Sequence, residues 1–213
     1  MEHQTQERFR AVYLTAEDLR VAASILYNAY HDDPFFMQTL GYDDKVSYEQ
    51  KLRAAIREEL NELWQQEQTL VGWFDEDRLI GIACVVTQHA PLGDAKNWHW
   101  RLKMLLGTGW QSTQMILKKE AQILEHLPGK ACGILQFIAL APTEQGKGHG
   151  QQLLKAVQSW CDDQPELDGI GVFVSQASQK HLFQSNGFES IGPIHFDKVE
   201  GELMFYRRQS NEA

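Results

Sequence analysis

Gln145-Gly146-Lys147-Gly148-His149-Gly150 stands between an apolar run, Ile134 to Leu140, and a helix-like segment, Gln151 to Cys161. A strand that turns through glycines into a helix leaves backbone N–H groups unpaired and converging on one spot, where the helix dipole also favours negative charge. The stretch therefore reads as a site for a phosphate or pyrophosphate. Spacing separates the alternatives. A P-loop needs Gly-Lys followed by Ser or Thr, but Lys147 is followed by Gly148. A dinucleotide fingerprint needs G-x-G-x-x-G, yet counting from Gly146 the last position is Gln151, and from Gly148 it is Leu153. What fits is Gln-x-x-Gly-x-Gly, met by Gln145, Gly148 and Gly150 after Ala141-Pro142.

Working outward, Cys132 to Leu140 reads as the strand before the motif, and Ile170 to Ser175 as a buried strand after its helix. Ala177 to Ser185 then reads as a short helix, Asn186-Gly187-Phe188 as a turn, and Phe188 to Ile191 and Leu203 to Arg207 as two last strands. Towards the N-terminus, Thr69 to Phe74 and Leu79 to Thr87 form a hairpin across Asp75-Glu76-Asp77-Arg78. Lys45 to Gln66 has Val46, Leu52, Ile56, Leu60 and Leu63 at helical spacing, which predicts that all five are core. Phe9 to Leu14 reads as a first strand, and Thr15 with Asp18 as the N-cap of a helix to about Tyr30. Asn97 to His126 is helical in composition and broken at Gly107-Thr108-Gly109.

These motifs resemble the GCN5-related N-acetyltransferase (GNAT) superfamily, whose motif A holds the pyrophosphate of acetyl-CoA. Leu182-Phe183 followed by Gly187-Phe188 is similar to that family's second signature, Leu-Tyr with Gly-Phe four residues on. Tyr30-His31-Asp32-Asp33-Pro34-Phe35 resembles the Asp-Pro turn of the branch that includes puromycin N-acetyltransferase. The likeness runs loosely from Val12 to Tyr206 and is specific from Leu135 to Phe188. It implies an α/β (α+β mixed) fold: a mixed, mostly antiparallel sheet with helices on both faces and strands 4 and 5 splayed. A single domain over residues 1–213, with its core at about 9–207, is expected.

Composition fits that expectation. The chain has 213 residues, 43% hydrophobic and 23% charged, the balance of one ordinary globular domain. Its longest apolar run, Leu79 to Val86, is far short of the roughly 20 residues a membrane helix needs. The start, Met1-Glu2-His3-Gln4, lacks a basic and an apolar region, so no secretory signal is expected. Cys84, Cys132 and Cys161 are odd in number and lack C-x-x-C pairing, which argues against disulfides and zinc and suits the reducing cytoplasm. A formal charge of −9 argues against a nucleic-acid partner and suits a small cationic amine as well as plain solubility. His31, Asp32 and Asp33 lack a second ligand cluster, so no metal is expected. Both monomer and homodimer remain open.

The implied reaction is direct attack of a primary amine on the acetyl thioester. An alkyl amine of pKa about 10.4 is protonated at pH 7, and exposing its lone pair costs about 4.6 kcal/mol, against about 2 kcal/mol for protonating a thiolate of pKa about 8.5. Removing the amine proton is therefore the larger problem. Phe183 stands where relatives place a tyrosine acid and cannot donate, leaving water, His181 or Ser185, or no acid at all. Ile134 and Gln136 occupy the positions of the strand-borne base of some relatives. Neither titrates, although Gln136 could hold a proton-carrying water. His31, His89 and His99 lie in segments that line the acceptor cleft of relatives, and titrate in the right range. Trp98 and Trp100 flank His99 and could line a pocket or pack in the core. On the cofactor side, the backbone from Gln145 through Gly146, Lys147, Gly148 and His149 to Gly150 should cradle the pyrophosphate, with Gly148 and Gly150 needed because a Cβ would block close approach. By the same resemblance, Ile138 and Leu140 offer backbone groups to the pantetheine arm. Set against transfer to a small amine are an acyl-CoA sensor or degenerate domain without transfer, acetylation of protein N-termini or lysines, and a plain nucleotide-binding protein.

Overall fold

The computed structural model describes residues 8–87 and 110–209. A short strand, β1 (Phe9–Tyr13), leads into three helices, α1 (Leu19–Tyr30), α2 (Pro34–Leu40) and α3 (Lys45–Gln65). The hairpin β2 (Thr69–Asp75) and β3 (Arg78–Thr87) follows, then α4 (Trp110–His126) and β4 (Cys132–Leu140). The motif helix α5 (His149–Asp162), β5 (Gly169–Val174), α6 (Ala177–Gln184) and a last hairpin, β6 (Glu189–Phe196) and β7 (Val199–Arg207), complete it. The strands form one sheet ordered β1-β2-β3-β4-β5-β7-β6, antiparallel throughout except for the parallel pair β4 and β5. That is the mixed, mostly antiparallel sheet expected.

Each face of the sheet is covered by helices whose apolar stripes match it. On one face Ala22, Ile25 and Leu26 of α1, Phe35 and Phe36 of α2, and Leu52, Ile56, Leu60 and Leu63 of α3 pack with Ile123 of α4. On the other, Leu153, Leu154 and Val157 of α5 and Phe183 of α6 pack on Val71, Val85, Leu135 and Ile170. Burying a side chain of this size contributes about 1.5–3 kcal/mol. Strand β4 serves both cores: Ile134, Phe137 and Ala139 face the first, and Leu135 the second.

Several local expectations change. Thr15 does not cap α1; the Asp18 carboxylate instead accepts from the Thr15 N–H (2.8 Å) and hydroxyl (2.9 Å), folding a turn before the helix starts at Leu19. Val46 is 67% exposed, because the first turn of α3 projects past the core, and Asp44 caps it by accepting from the Val46 and Ser47 N–H groups. The Asp33-Pro34 turn opens a further helix, α2. The last two strands are longer than the apolar runs suggested, since β6 is an edge strand that tolerates Gly192 and Pro193 through an irregularity at Ser190/Gly192. The expected break at Gly107-Thr108-Gly109, and His89, Trp98, His99 and Trp100, lie outside the described residues. Among the described residues, no helix is long and apolar enough to cross a membrane.

Candidate active site

Strands β4 and β5 pair only from Cys132–Gly169 to Ile134–Gly171, after which they diverge. The divergence coincides with an irregularity against β3, where Leu135 faces Val85, Phe137 faces Cys84, and Gln136 is left as the extra residue of a bulge. Beyond it Ala141 N–H bonds the Ile80 carbonyl. By antiparallel alternation, the backbone groups of Ala139 and Phe137 therefore turn to β3, and those of Ile138 and Leu140 face the opening. The pair expected from the sequence, Ile138 and Leu140, thus lies half-buried on the edge of β4 that has left β5. In this structure Ile138 N–H donates to the Tyr30 hydroxyl at 3.2 Å, and that hydroxyl donates to the Ile138 carbonyl at 3.4 Å. The Leu140 carbonyl accepts from the Gln145 side chain at 3.3 Å.

The glycine loop closes one end of the opening. Gly146 and Gly148 have φ of +75° and +85°, where an L-residue is strained, and a Cβ on either would meet nothing within 4 Å. Both project into open space, as a pyrophosphate cradle requires. Gly150 differs. Its Cβ would touch Leu140 and Leu182 at 3.8 Å, an ordinary contact on the protein side, so the expectation that Gly150 must be glycine to admit a ligand is not supported by its surroundings. Helix α5 starts at Gly148 with no side chain capping it, so its first N–H groups face the loop. Lys147 forms an ion pair with Glu144 at 3.0 Å, and Arg78 joins the same carboxylate at 2.9 Å. Hydrogen bonds from these two cations hold the largely buried Glu144 carboxyl below its ordinary range. His149 offers only its backbone to the loop: its ring accepts from the Trp73 indole at 3.2 Å and lies 4.6 Å from the Phe9 ring.

At the other end, Gln136 donates from its amide to Glu120 at 3.1 Å. Glu120, on α4, is 8% exposed, and burial raises its carboxyl from 4.5 to about 7, against the opposing pull of Lys119 and the Gln136 hydrogen bond. The neighbouring Lys119 ammonium lies 4.6 Å from the Phe35 ring and 5.4 Å from the Phe173 ring, within the field of Asp33, Glu120 and Glu59. Burial outweighs those carboxylates and lowers its pKa. Asp33 caps α2 by accepting from the Phe35 and Phe36 N–H groups and also accepts from the Ser175 hydroxyl at 2.5 Å, which ties α2 to the end of β5.

The remaining candidates are placed elsewhere. His31 bonds Asp32 at 2.9 Å and approaches Glu49 at 3.6 Å, with its ring edge-on to Tyr27 and Tyr48, so its partners belong to α1, α3 and the turn after α1. Phe183 is 2% exposed and packs on Phe188 in the core. Ser185 donates back to the His181 and Leu182 carbonyls at the end of α6, while His181 itself is exposed. Glu120 and Tyr30 carried no role in the sequence reading. Glu120 was recognisable as a carboxylate on the stripe it shares with Ile123 and Leu127, whereas the reach of Tyr30 across to Ile138 depends on how α1 packs.

This geometry has known counterparts. No curated protein matches the chain by sequence. Among solved structures it is similar to histone acetyltransferase HPA2 and related acetyltransferase from Corynebacterium glutamicum, with TM-score 0.71, 17% identity and coverage of 97% of this chain and 99% of that one. Putative arylalkylamine N-acetyltransferase 7 from the yellow fever mosquito gives TM-score 0.64 at 14% identity over 93% and 87%. AAC(6')-Ib in complex with ribostamycin and coenzyme A gives 0.57 at 17% over 95% of each chain. The family model described as the Acetyltransferase (GNAT) family matches residues 24–188, well over half the sequence. With the split between β4 and β5 and the glycine loop inside that span, the chain belongs to the acetyltransferase (GNAT) family.

Proposed function

We propose that the protein transfers acetyl from acetyl-CoA to the primary amine of a small molecule, as a single domain acting in the cytoplasm. The observation that carries this reading is the order of features along β4: the open glycine loop at Gly146 and Gly148, the edge of β4 that leaves β5 beyond Ile134, and the Gln136–Glu120 pair. The loop would hold the pyrophosphate, the edge would take the pantetheine amides as an added strand, and the thioester would end near the bulge. Glu120 supplies what Ile134 and Gln136 could not. A carboxyl at about 7 is matched to taking a proton from an ammonium at neutral pH, directly or through a water held at Gln136.

A cationic acceptor suits the surroundings, where Asp33, Glu59 and Glu120 outnumber Lys119, whose ammonium lies against the Phe35 and Phe173 rings. Two of the similar structures are, by name, a "putative arylalkylamine N-acetyltransferase" and a complex with ribostamycin and coenzyme A. Those amine classes are the first to try. The branch resembling puromycin N-acetyltransferase rests on Tyr30 to Phe35, which here form the end of α1 and the cap of α2. The buried Phe183 favours a domain that binds acyl-CoA without transferring it. Glu120 beside Gln136 weighs against that alternative by restoring a base where the chemistry most needs one.

Calorimetric titration with acetyl-CoA, followed by thiol release with arylalkylamines and aminoglycosides, tests the proposal. Micromolar binding lost in Gly148→Glu, with release stimulated by an amine, is the expected result. Binding with no release for any amine would establish the sensor reading, and acetylation of peptides alone would move the acceptor to protein.

A further inference from the structure

The Tyr30 hydroxyl holds both hydrogen-bonding groups of Ile138, in the way a neighbouring strand or a cofactor amide would. Its ring is fixed edge-on against Phe36 at 5.9 Å and Phe137 at 5.3 Å, which aims the hydroxyl across the first core onto the open edge of β4. Ile138 and Leu140 are two residue steps apart, about 7 Å of strand at about 3.3 Å per residue. A pantetheine arm with two amides in series is longer than that, so an arm anchored at the glycine loop brings its thioester to Ile138 or beyond, towards Gln136. On the proposed reading, on which this inference rests, cofactor binding takes Ile138 from Tyr30 and leaves the hydroxyl facing the reacting end of the cofactor.

We infer that Tyr30 is a catalytic residue, the hydrogen-bond donor to the departing sulfur, standing in from α1 for the hydroxyl absent at Phe183. As the acceptor nitrogen bonds to the acetyl carbon, the carbon–sulfur bond breaks and its electron pair goes to sulfur. The thiolate leaves hydrogen-bonded to Tyr30. The proton released by the nitrogen passes through Glu120 and solvent to the sulfur, so Tyr30 ends as it began, protonated. Burial favours that state, raising the phenol above its ordinary range, and the nearby Asp33 and Cys84 push the same way.

Tyr30→Phe keeps the ring against Phe36 and Phe137 and removes only the hydroxyl. The test pairs acetyl-CoA affinity by calorimetry with thiol release to hydroxylamine, an acceptor small enough to need no shaped pocket. Melting curves establish the folded fraction, and kcat is compared per folded protein. A fall in kcat of roughly 10- to 100-fold, the worth of one hydrogen bond to a charged group, is expected with acetyl-CoA affinity unchanged or tighter. Tyr30→His, which retains a ring N–H donor, should turn over faster than Tyr30→Phe. A loss below about threefold in Tyr30→Phe, whatever its affinity, would make the hydroxyl only a placeholder on Ile138 and overturn the assignment. Equal turnover in the two variants would also overturn it. If the wild type binds acetyl-CoA but releases no thiol above the uncatalysed rate, the transfer reading fails together with the assignment; wild-type release unaffected by Tyr30→Phe removes the assignment alone.

Discussion

Glu120 combines a poor position for stability with a good one for catalysis. Its carboxyl, raised by burial from 4.5 to about 7, holds a proton in the folded chain that the unfolded chain has already released between those values. Stability from this group is therefore complete below 4.5 and is lost as pH rises towards 7. Glu120→Gln has no proton to lose, and its amide can still accept from Gln136, so its melting temperature should exceed that of the wild type at pH 8. Acetyl transfer should move oppositely. If Glu120 is the base, kcat should fall about 100-fold or more in the variant, and the rise in activity with pH expected of the wild type near 7 should be absent from it. Melting curves and pH–rate profiles on the two proteins check both halves. Unchanged turnover would remove Glu120 from the mechanism.

At the level of elements, the glycine loop separates demands that its sequence runs together. Gly148 needs its positive φ and projects into open space, so Gly148→Ala should cost about 1–2 kcal/mol in strain and also weaken acetyl-CoA binding. Gly150 lies inside the first turn of α5 with normal φ, and Gly150→Ala should stabilise by up to about 1 kcal/mol while leaving affinity within about twofold. Chemical denaturation and calorimetry distinguish the two; strong loss of affinity in Gly150→Ala would place the ligand on the other side of the helix start. Asp33 joins elements rather than shaping one. Removing it in Asp33→Ala takes away the α2 cap and the bond that holds Ser175 at the mouth of the split, for an expected loss of about 2–4 kcal/mol in denaturant unfolding. Elements were legible where pattern was local: the limits of β4 follow directly from its apolar run, and those of the β2–β3 hairpin to within one residue at the turn, where Asp75 and Arg78 extend the strands. The bulge at Gln136 was not, because a bulge is a relation between two strands, and neither was α2, a short helix hidden behind an Asp-Pro that reads equally well as a turn. The same limit explains the site. The glycine loop is contiguous and could be read, whereas Glu120, Gln136 and Tyr30 are brought to β4 only once α4, β4 and α1 are packed.

Across the whole molecule, one sheet carries both cores, and β4 contributes side chains to each. A ligand lying along β4 and the start of α5 therefore contacts parts of both, and opening either core would disturb its site. This favours a single cooperative unit over the full described span, with acetyl-CoA raising the stability of all of it together. At about 100 times its dissociation constant, a ligand that binds only the folded state adds about 2.7 kcal/mol. For a chain of this size each kcal/mol moves the melting temperature by about 2–4 °C, so a single transition should shift upward by about 5–11 °C. Gly148→Glu, which places a carboxylate where the pyrophosphate would sit, should melt with little or no response to the same concentration. Calorimetry with and without acetyl-CoA reads both quantities. Two resolved transitions, only one of them moved by the cofactor, would divide the chain into separate units; no shift in the wild type would mean that the glycine loop and the edge of β4 do not hold coenzyme A.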